Sequence, residues 1–167
     1  MTLNDWPWRH WRRERPDAPA LWIDQQRLDW QTLGSQVDAL AAGFREQGVH
    51  EGDGVALRAK NGGQTLLVWL ALLQCGARIL ALNPQLPSTL LDALLPEMTL
   101  SHALDLTGEA SLSGLPVLEC REMPGEAVVP WQPGRLVSMT LTSGSSGLPK
   151  AAVHSAAFGS PVEPEVR

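Results

Sequence analysis

The amino-acid sequence predicts an α/β fold: a layered, mostly parallel sheet with flanking helices. Short apolar segments with strand character alternate with segments whose apolar residues recur at helical spacing. This alternation is typical of parallel strands joined by helical crossovers. The chain has 167 residues, of which 44% are hydrophobic and 19% charged, so it suits one globular domain or part of a larger one.

The N-terminal region predicts a short helix, a hairpin and a longer helix. Trp8 and Trp11 lie three residues apart, on one face of a helix that ends before Pro16. Residues 21–23 and 27–29 flank a polar turn and predict the hairpin. Apolar residues at helical spacing before Gly48 predict the longer helix; they are Leu33, Val37, Leu40, Ala41 and Phe44.

The middle of the chain alternates strands and helices. A buried helix is expected over residues 65–75, with Gly76 as its stop. We expect Ser88 to cap the next helix and Pro96 to end or kink it. A connection rich in proline and glycine precedes the last strand. Strands are predicted at residues 55–58, 79–82, 103–105, 117–119 and 136–141.

The most informative segment is residues 142–150, Thr-Ser-Gly-Ser-Ser-Gly-Leu-Pro-Lys. Glycines let backbone amides approach an anion closely, and successive amides form a concave site for phosphate oxygens. The hydroxyl groups add hydrogen-bond donors, and the lysine adds a compact positive charge. The segment therefore predicts a polyphosphate-binding loop, here called the phosphate loop, formed by Thr142, Ser143, Gly144, Ser145, Ser146, Gly147 and Lys150.

The phosphate loop is not a Walker A motif, and a flexible linker is the alternative interpretation. Walker A has four residues between its glycines and a lysine directly after the second, whereas two residues separate Gly144 from Gly147. Short Ser/Gly segments are most often linkers. Apolar strand candidates on both sides, at residues 136–141 and 151–153, favour phosphate binding instead.

Residues 142–150 resemble the signature loop of the AMP-forming acyl-CoA synthetase and adenylation-domain superfamily, and every position of its pattern is matched. Ser146 stands where threonine is more frequent, and Ala151 where many members have glycine. The similarity covers roughly residues 5–155 and is strong to bacterial acid–CoA ligases that act on o-succinylbenzoate in menaquinone biosynthesis. Further similar segments are residues 52–57 with Asn61, and residues 72–84.

The resemblance implies that residues 1–155 are the N-terminal part of an AMP-binding (adenylation) domain, within the large domain of the acyl-CoA synthetase fold. The full-length family uses ATP with Mg²⁺, coenzyme A and a carboxylic acid, here o-succinylbenzoate. The phosphate loop would hold the β- and γ-phosphates. The family's adenine-binding motif, ribose-binding aspartate and catalytic lysine have no counterpart in the chain. We therefore assign no catalytic residue and no metal site, and expect a truncated ligase that is inactive alone.

Residues 156–167 do not resemble the family's continuation and predict a disordered or aberrant tail. Two alternatives to the truncated o-succinylbenzoate ligase stay open. One is a fragment of another acid–CoA ligase or of a carrier-protein adenylation domain. The other is a non-catalytic α/β module in which the Ser/Gly segment is only a connector.

Composition and charge exclude several other classes. The net charge of −5 disfavours nonspecific nucleic-acid binding, and the basic cluster near the N-terminus predicts a solvated helical face. Two cysteines are too few for a disulfide scaffold or zinc site, and Cys75 is expected in the core. With no signal core and no apolar run long enough to span a bilayer, we expect a cytoplasmic protein. The basic residues are Arg9, Arg12, Arg13 and Arg15.

Overall fold

The computed structural model describes residues 5–108, 112, 114–142, 150–155 and 165–166. In these ranges the helices are α1 (Pro7–Glu14), α2 (Trp30–Glu46), α3 (Gly63–Gln74) and α4 (Ser88–Leu94), and a 3-10 turn follows at Leu95–Glu97. The strands are β1 (Pro19–Ile23), β2 (Gln26–Asp29), β3 (Gly54–Arg58), β4 (Arg78–Leu82), β5 (His102–Asp105), β6 (Leu136–Thr142), β7 (Lys150–Ser155) and β8 (Glu165–Val166).

The larger sheet has the strand order β5-β3-β4-β6-β7-β8. Strands β5, β3, β4 and β6 pair in parallel, and β7 and β8 are added in antiparallel orientation. The predicted layered, mostly parallel sheet is confirmed. The strand expected at residues 117–119 is reduced to one bridge between Val117 and Ala103, because Val117 lies at the sheet edge with 59% of its surface exposed.

The core has two layers, one on each face of the sheet. Along β3, Val55 and Leu57 belong to one apolar cluster and Ala56 belongs to the other. This alternation follows from the two-residue period of a strand. The first cluster also takes in the apolar faces of α1, α2 and α3, and the second takes in Leu91 and Leu95. Helices on both faces are the reason that the segment of β3 reads as a continuous apolar run.

Local sequence signals explain the turns at several element ends. Asp24 and Gln25 both have positive φ, of 48° and 68°, as the two-residue turn of a β-hairpin requires. Gly48 and Gly76 follow α2 and α3 with φ of 99° and 85°, which confirms them as helix stops. Across the described ranges, no helix combines the length and apolar character needed to cross a membrane.

The expected cap of α4 is wrong by one residue. Pro87 occupies the N-cap position with φ −60° and ψ 138°, and Ser88 is already the first helical residue, without a side-chain capping bond. Pro87 suits this position because its carbonyl accepts from Leu90 N and Leu91 N, at 3.1 and 3.2 Å, while its ring leaves no N–H group that would need a partner. Pro96 lies in the 3-10 turn that follows α4, as expected of a residue that ends or kinks a helix.

Helix α1 docks onto the molecule through tryptophan and arginine side chains. Trp6 Nε1 donates to Val129 O at 2.9 Å, and Trp8 Nε1 donates to Gln74 Oε1 at 2.9 Å. Arg9 and Arg12 pair with Asp38 of α2 at 3.0 and 2.7 Å. The prediction of a merely solvated basic face is therefore wrong for these two arginines, because the fold brings a carboxylate from another helix against them.

Candidate functional site

The two ends of the phosphate loop lie opposite each other in the sheet. Thr142 is the last residue of β6, Lys150 is the first of β7, and the two are paired in antiparallel register. Residues 143–149 join these paired ends and lie outside the described residues, so the roles of Ser143, Gly144, Ser145, Ser146 and Gly147 stay predictions. The strands expected on both sides of the loop are confirmed, which weakens the linker interpretation.

The phosphate loop begins at the carboxyl edge of the parallel sheet. Strand β6 pairs with β4 in parallel, with Ile79 opposite Ser138 and Leu80 opposite Met139. Because β3, β4 and β6 run in one direction, the residues that follow them reach the same edge. In open α/β sheets, ligands bind outside this edge. The sheet therefore places Thr142 beside the segments that follow β3 and β4.

A cleft of about 490 Å³ opens at that edge between the ends of β3 and β4. Its polar side chains come from the residues directly after each strand. The family resemblance includes Asn61 and residues 81–84 of this lining, whereas Ala59, Lys60 and Gln85 were not singled out from the sequence. The signal that could have found them is their position, since polar residues directly after buried parallel strands face the binding edge. The lining residues are Ala59, Lys60, Asn61, Ala81, Leu82, Asn83, Pro84 and Gln85.

Hydrogen bonds hold both walls of the cleft. In the wall after β4, the Asn83 side chain accepts from Gln85 N at 2.9 Å, and Asn83 O accepts from Leu86 N at 3.1 Å. In the wall after β3, Thr65 Oγ1 donates to Lys60 O at 2.6 Å. Amide and ammonium groups on a fixed backbone suit an anionic or hydrogen-bonding ligand.

A buried charged pair lies at the ends of β3 and β5, next to the cleft. Arg58 Nη2 donates to Pro84 O at 2.9 Å, and Arg58 Nη1 lies 3.9 Å from Asp105 Oδ2. The two side chains are 8% and 10% exposed. Sequence reasoning missed this pair, since the two residues are far apart in the chain and the strand of Arg58 is otherwise apolar.

Other reactive groups are placed away from this site. The Cys75 thiol is buried and lies 3.2 Å from Ala41 O, and burial raises its pKa from 9.0 to about 11, with Arg45 opposing the shift. Cys75 is confirmed as a core residue. Among the described residues, no group of three His, Cys, Asp or Glu side chains could hold a metal ion. The histidine that follows the loop, His154, lies in β7.

The comparisons with known proteins match most of the chain. The family model described as AMP-binding enzyme matches residues 8–158. The 2-succinylbenzoate–CoA ligase of Salmonella typhimurium is 60% identical over 154 residues, which are 92% of this chain and 34% of the ligase. The Escherichia coli K12 ligase of the same name is 56% identical with the same shares covered. The chain thus spans about a third of the length of these relatives.

Solved structures with a similar fold point to the same relatives. E. coli MenE with a bound analogue of OSB-AMS superimposes with a TM-score of 0.86 at 55% identity, over 92% of this chain and 34% of MenE. The N-terminal subdomain of Klebsiella oxytoca NpsA superimposes with a TM-score of 0.79 at 23% identity, over 92% and 41% of the two chains, and at that identity it supports the fold alone. The family model matches residues 8–158, and the matched relatives have the same fold. The chain therefore belongs to the AMP-binding enzyme family.

Proposed function

We propose that the chain is the N-terminal third of an ATP-dependent ligase that joins o-succinylbenzoate to coenzyme A in menaquinone biosynthesis, in the cytoplasm. The observation that carries the proposal is the 60% identity to a 2-succinylbenzoate–CoA ligase over 92% of the chain. Relatives with other names match at lower identity, such as surfactin synthase subunit 2 of Bacillus subtilis at 27%. The acid is therefore proposed from identity and not from contacts.

In this reaction the acid's carboxylate attacks the α-phosphate of ATP, releasing pyrophosphate and forming an acyl-adenylate. The thiol of coenzyme A then attacks the acyl carbon and AMP leaves. Transfers of this kind depend on positioning and on stabilisation of charge. Thr142, Ser143, Ser145 and Ser146 would donate hydrogen bonds to the departing phosphates. The Lys150 ammonium would offset part of their charge, with Mg²⁺ from the ATP complex supplying the rest.

The chain contributes the phosphate loop and the cleft, but the remaining two thirds of the relatives' length has no counterpart in the match. We therefore propose that the chain has no ligase activity by itself. A phosphate-binding loop without the groups that hold the adenine, the ribose and the acid cannot align the reacting atoms.

A chimera tests the proposal directly. Residues 1–155 replace the matched segment of the S. typhimurium ligase, and pyrophosphate release and CoA thioester formation are measured with ATP, Mg²⁺, coenzyme A and o-succinylbenzoate. We expect turnover by the chimera and none by the 167-residue chain. Lys150→Ala in the chimera should lower turnover about tenfold or more, since a charge-assisted hydrogen bond to the phosphates is lost. An inactive but folded chimera, or robust turnover by the chain alone, contradicts the proposal.

A panel of acids and a binding assay separate the alternatives. Preference of the chimera for a fatty, aryl or amino acid over o-succinylbenzoate would favour another ligase or a carrier-protein adenylation domain. The connector alternative predicts that the 167-residue chain gains no thermal stability from ATP. Lys150→Ala is the matched control, because it removes the charge at the loop's end and leaves residues 142–149 in place.

A further inference from the structure

Arg58 is a buried cation at a position where the surrounding strand is apolar. It is the last residue of β3 and lies between two neighbouring strands, in register with Leu82 of β4 and Asp105 of β5. Its side chain is only 8% exposed. The residue directly after it, Ala59, already lines the cleft. Arg58 does not itself line the cleft, and its hydrogen bond to Pro84 O places the guanidinium behind the cleft wall.

Each described contact of Arg58 joins the exits of three strands. Nη2 donates to Pro84 O, in the segment after β4, at 2.9 Å. Nη1 faces Asp105 Oδ2 at 3.9 Å, and Arg58 O accepts from Leu106 N at 2.8 Å. Asp105 is oriented in turn by Thr107, whose backbone N and Oγ1 donate to Oδ1 at 2.8 and 2.5 Å.

The hydrogen bond from Arg58 to Pro84 O links the turn at residues 83–86 to β3. The bonds from Gln85 N and Leu86 N both end on Asn83 and close the turn on itself. The bond from Arg58 instead joins the turn to β3. A buried charge destabilises a fold unless it is paired, and an apolar residue of similar volume is often at least as stabilising. A buried arginine at this position therefore serves to fix the geometry of the turn more than to stabilise the fold.

We infer that Arg58 is a positioning residue: it holds the turn at residues 83–86 in place as a wall of the cleft at the carboxyl edge of the sheet. The inference rests on the proposed function for one consequence, namely that ATP or pyrophosphate is held at this edge of the sheet. Asp105 offsets the buried charge at 3.9 Å, and the hydrogen bond from the guanidinium positions Pro84 O. The planar fork of arginine reaches both partners at once, which a lysine ammonium does not reproduce.

Three variants of the 167-residue chain separate positioning from stability. Asp105→Asn removes the carboxylate and leaves Arg58 with Pro84 O. Asp105→Asn combined with Arg58→Met removes both charges, so no lone buried carboxylate is left. Arg58→Lys keeps the charge but places its donors on a single nitrogen, without the planar fork. Hydrogen exchange is followed at Gln85 N and Leu86 N, with Leu106 N as the reference amide because it bonds to the backbone of residue 58.

In the double variant we expect amide exchange at Gln85 and Leu86 to accelerate at least tenfold relative to Leu106, because a hydrogen bond to a charged group is lost. In Asp105→Asn the exchange rates should stay close to those of the parent. In Arg58→Lys they should lie between those of the parent and of the double variant. Equal acceleration at all three amides, or none at the turn, overturns the inference and leaves Arg58 as a stability element only.

Calorimetry with ATP and with pyrophosphate, both with Mg²⁺, gives the second readout. The dissociation constant should rise about tenfold in the double variant and change little in Asp105→Asn. If the parent chain binds neither ligand, the proposed function fails for this chain, while the exchange pattern at residues 83–86 still decides the role of Arg58. Unchanged affinity in a double variant whose turn exchanges faster overturns the link between the turn and the ligand.

Discussion

Gly43 lies on α2 where the backbone of Arg121 passes against the helix. A Cβ placed on Gly43 would collide with the carbonyl oxygen of Arg121 and lie 2.9 Å from its carbonyl carbon. Glycine fits at this position of the helix because the backbone of residue 121 occupies the space that a side chain would take. At the scale of single residues, this contact and the buried Cys75 give the sharpest expectations.

Replacing Gly43 by alanine should destabilise the protein even though alanine is the better helix former. Helix propensity alone would favour the change by about 1 kcal/mol. The collision with a backbone carbonyl forces a shift of the chain, and overpacking of this kind costs about 1–3 kcal/mol. We expect a net loss in the free energy of unfolding, measured by urea denaturation. Gly62→Ala is the control, because no atom lies within 4 Å of its Cβ position; equal effects of the two changes would refute the contact.

Cys75 should make the stability of the protein fall at alkaline pH. Burial raises its pKa from 9.0 to about 11, so the folded state holds the thiol proton more tightly than the unfolded state does. The contribution to stability is complete below pH 9 and is lost as the pH rises from about 9 to 11, by about 2–3 kcal/mol. The difference in unfolding free energy between the parent and Cys75→Ala should shrink across that window. A constant difference from pH 8 to 11 would show that the thiol does not titrate as expected.

At the scale of elements, a polar network joins three helices. Asp38 of α2 accepts from Arg9 and Arg12 of α1, and Gln74, the last residue of α3, donates to Asp38 at 2.8 Å. Gln74 is fully buried, and its Oε1 accepts from the indole of Trp8. Each polar group in this chain of contacts has its partner on another helix. The network therefore specifies how α1 sits against α2 and α3, since apolar contacts alone are not directional.

Asp38→Ala should loosen the docking of α1. The substitution leaves two guanidinium groups and the Gln74 amide without their shared acceptor, and breaking a largely buried ion pair costs about 3 kcal/mol. We expect a lower unfolding midpoint and altered tryptophan emission, because Trp6 and Trp8 stack at 5.1 Å between ring centroids in the docked helix. Asp17→Ala is the matched control, since Asp17 is exposed. A loss no larger than that of the control would mean that the network is not required for docking.

At the scale of the whole molecule, the chain carries the phosphate loop and its supporting sheet but spans about a third of its relatives' length. Some large apolar side chains are already on the surface, including Trp22 at 63% and Leu66 at 40% exposure. Because the relatives are about three times as long as the matched segment, we expect part of the apolar surface of the 167-residue protein to correspond to surface that is buried in them.

The 167-residue protein should bind a dye for apolar surfaces such as ANS more strongly per residue than the chimera with the S. typhimurium ligase does. The physical reason is that the remaining two thirds of the ligase would cover apolar surface that the separate chain leaves in water. The measurement is dye fluorescence at equal protein mass, with light scattering as a check on association. Equal dye binding by the two proteins would indicate that the chain buries its apolar surface without further segments.

Much of the fold follows from local sequence. The alternation of strands and helices, the hairpin turn between residues 23 and 27, and the stops at Gly48 and Gly76 depend on neighbouring residues only, and the structure confirms each of them. Within the hairpin, the structure narrows the turn to Asp24 and Gln25. The prediction of a phosphate loop is equally local, because nine consecutive residues have the hydroxyls, glycines and lysine that resemble a family signature. A continuous motif can be read without knowledge of the fold.

The tertiary structure decided the contacts between residues that are distant in the chain. The cleft arises because parallel strands bring residues 59–61 and 83–85 to one edge of the sheet. Asp105 meets Arg58 only because β5 pairs with β3, and Asp38 meets Arg9 only because α1 packs on α2. No local pattern encodes these pairings, since they depend on strand order and helix packing. The motif by itself thus determined the family resemblance and the predicted phosphate loop, and the pairing of strands and packing of helices determined which distant side chains meet, because those contacts need the folded chain.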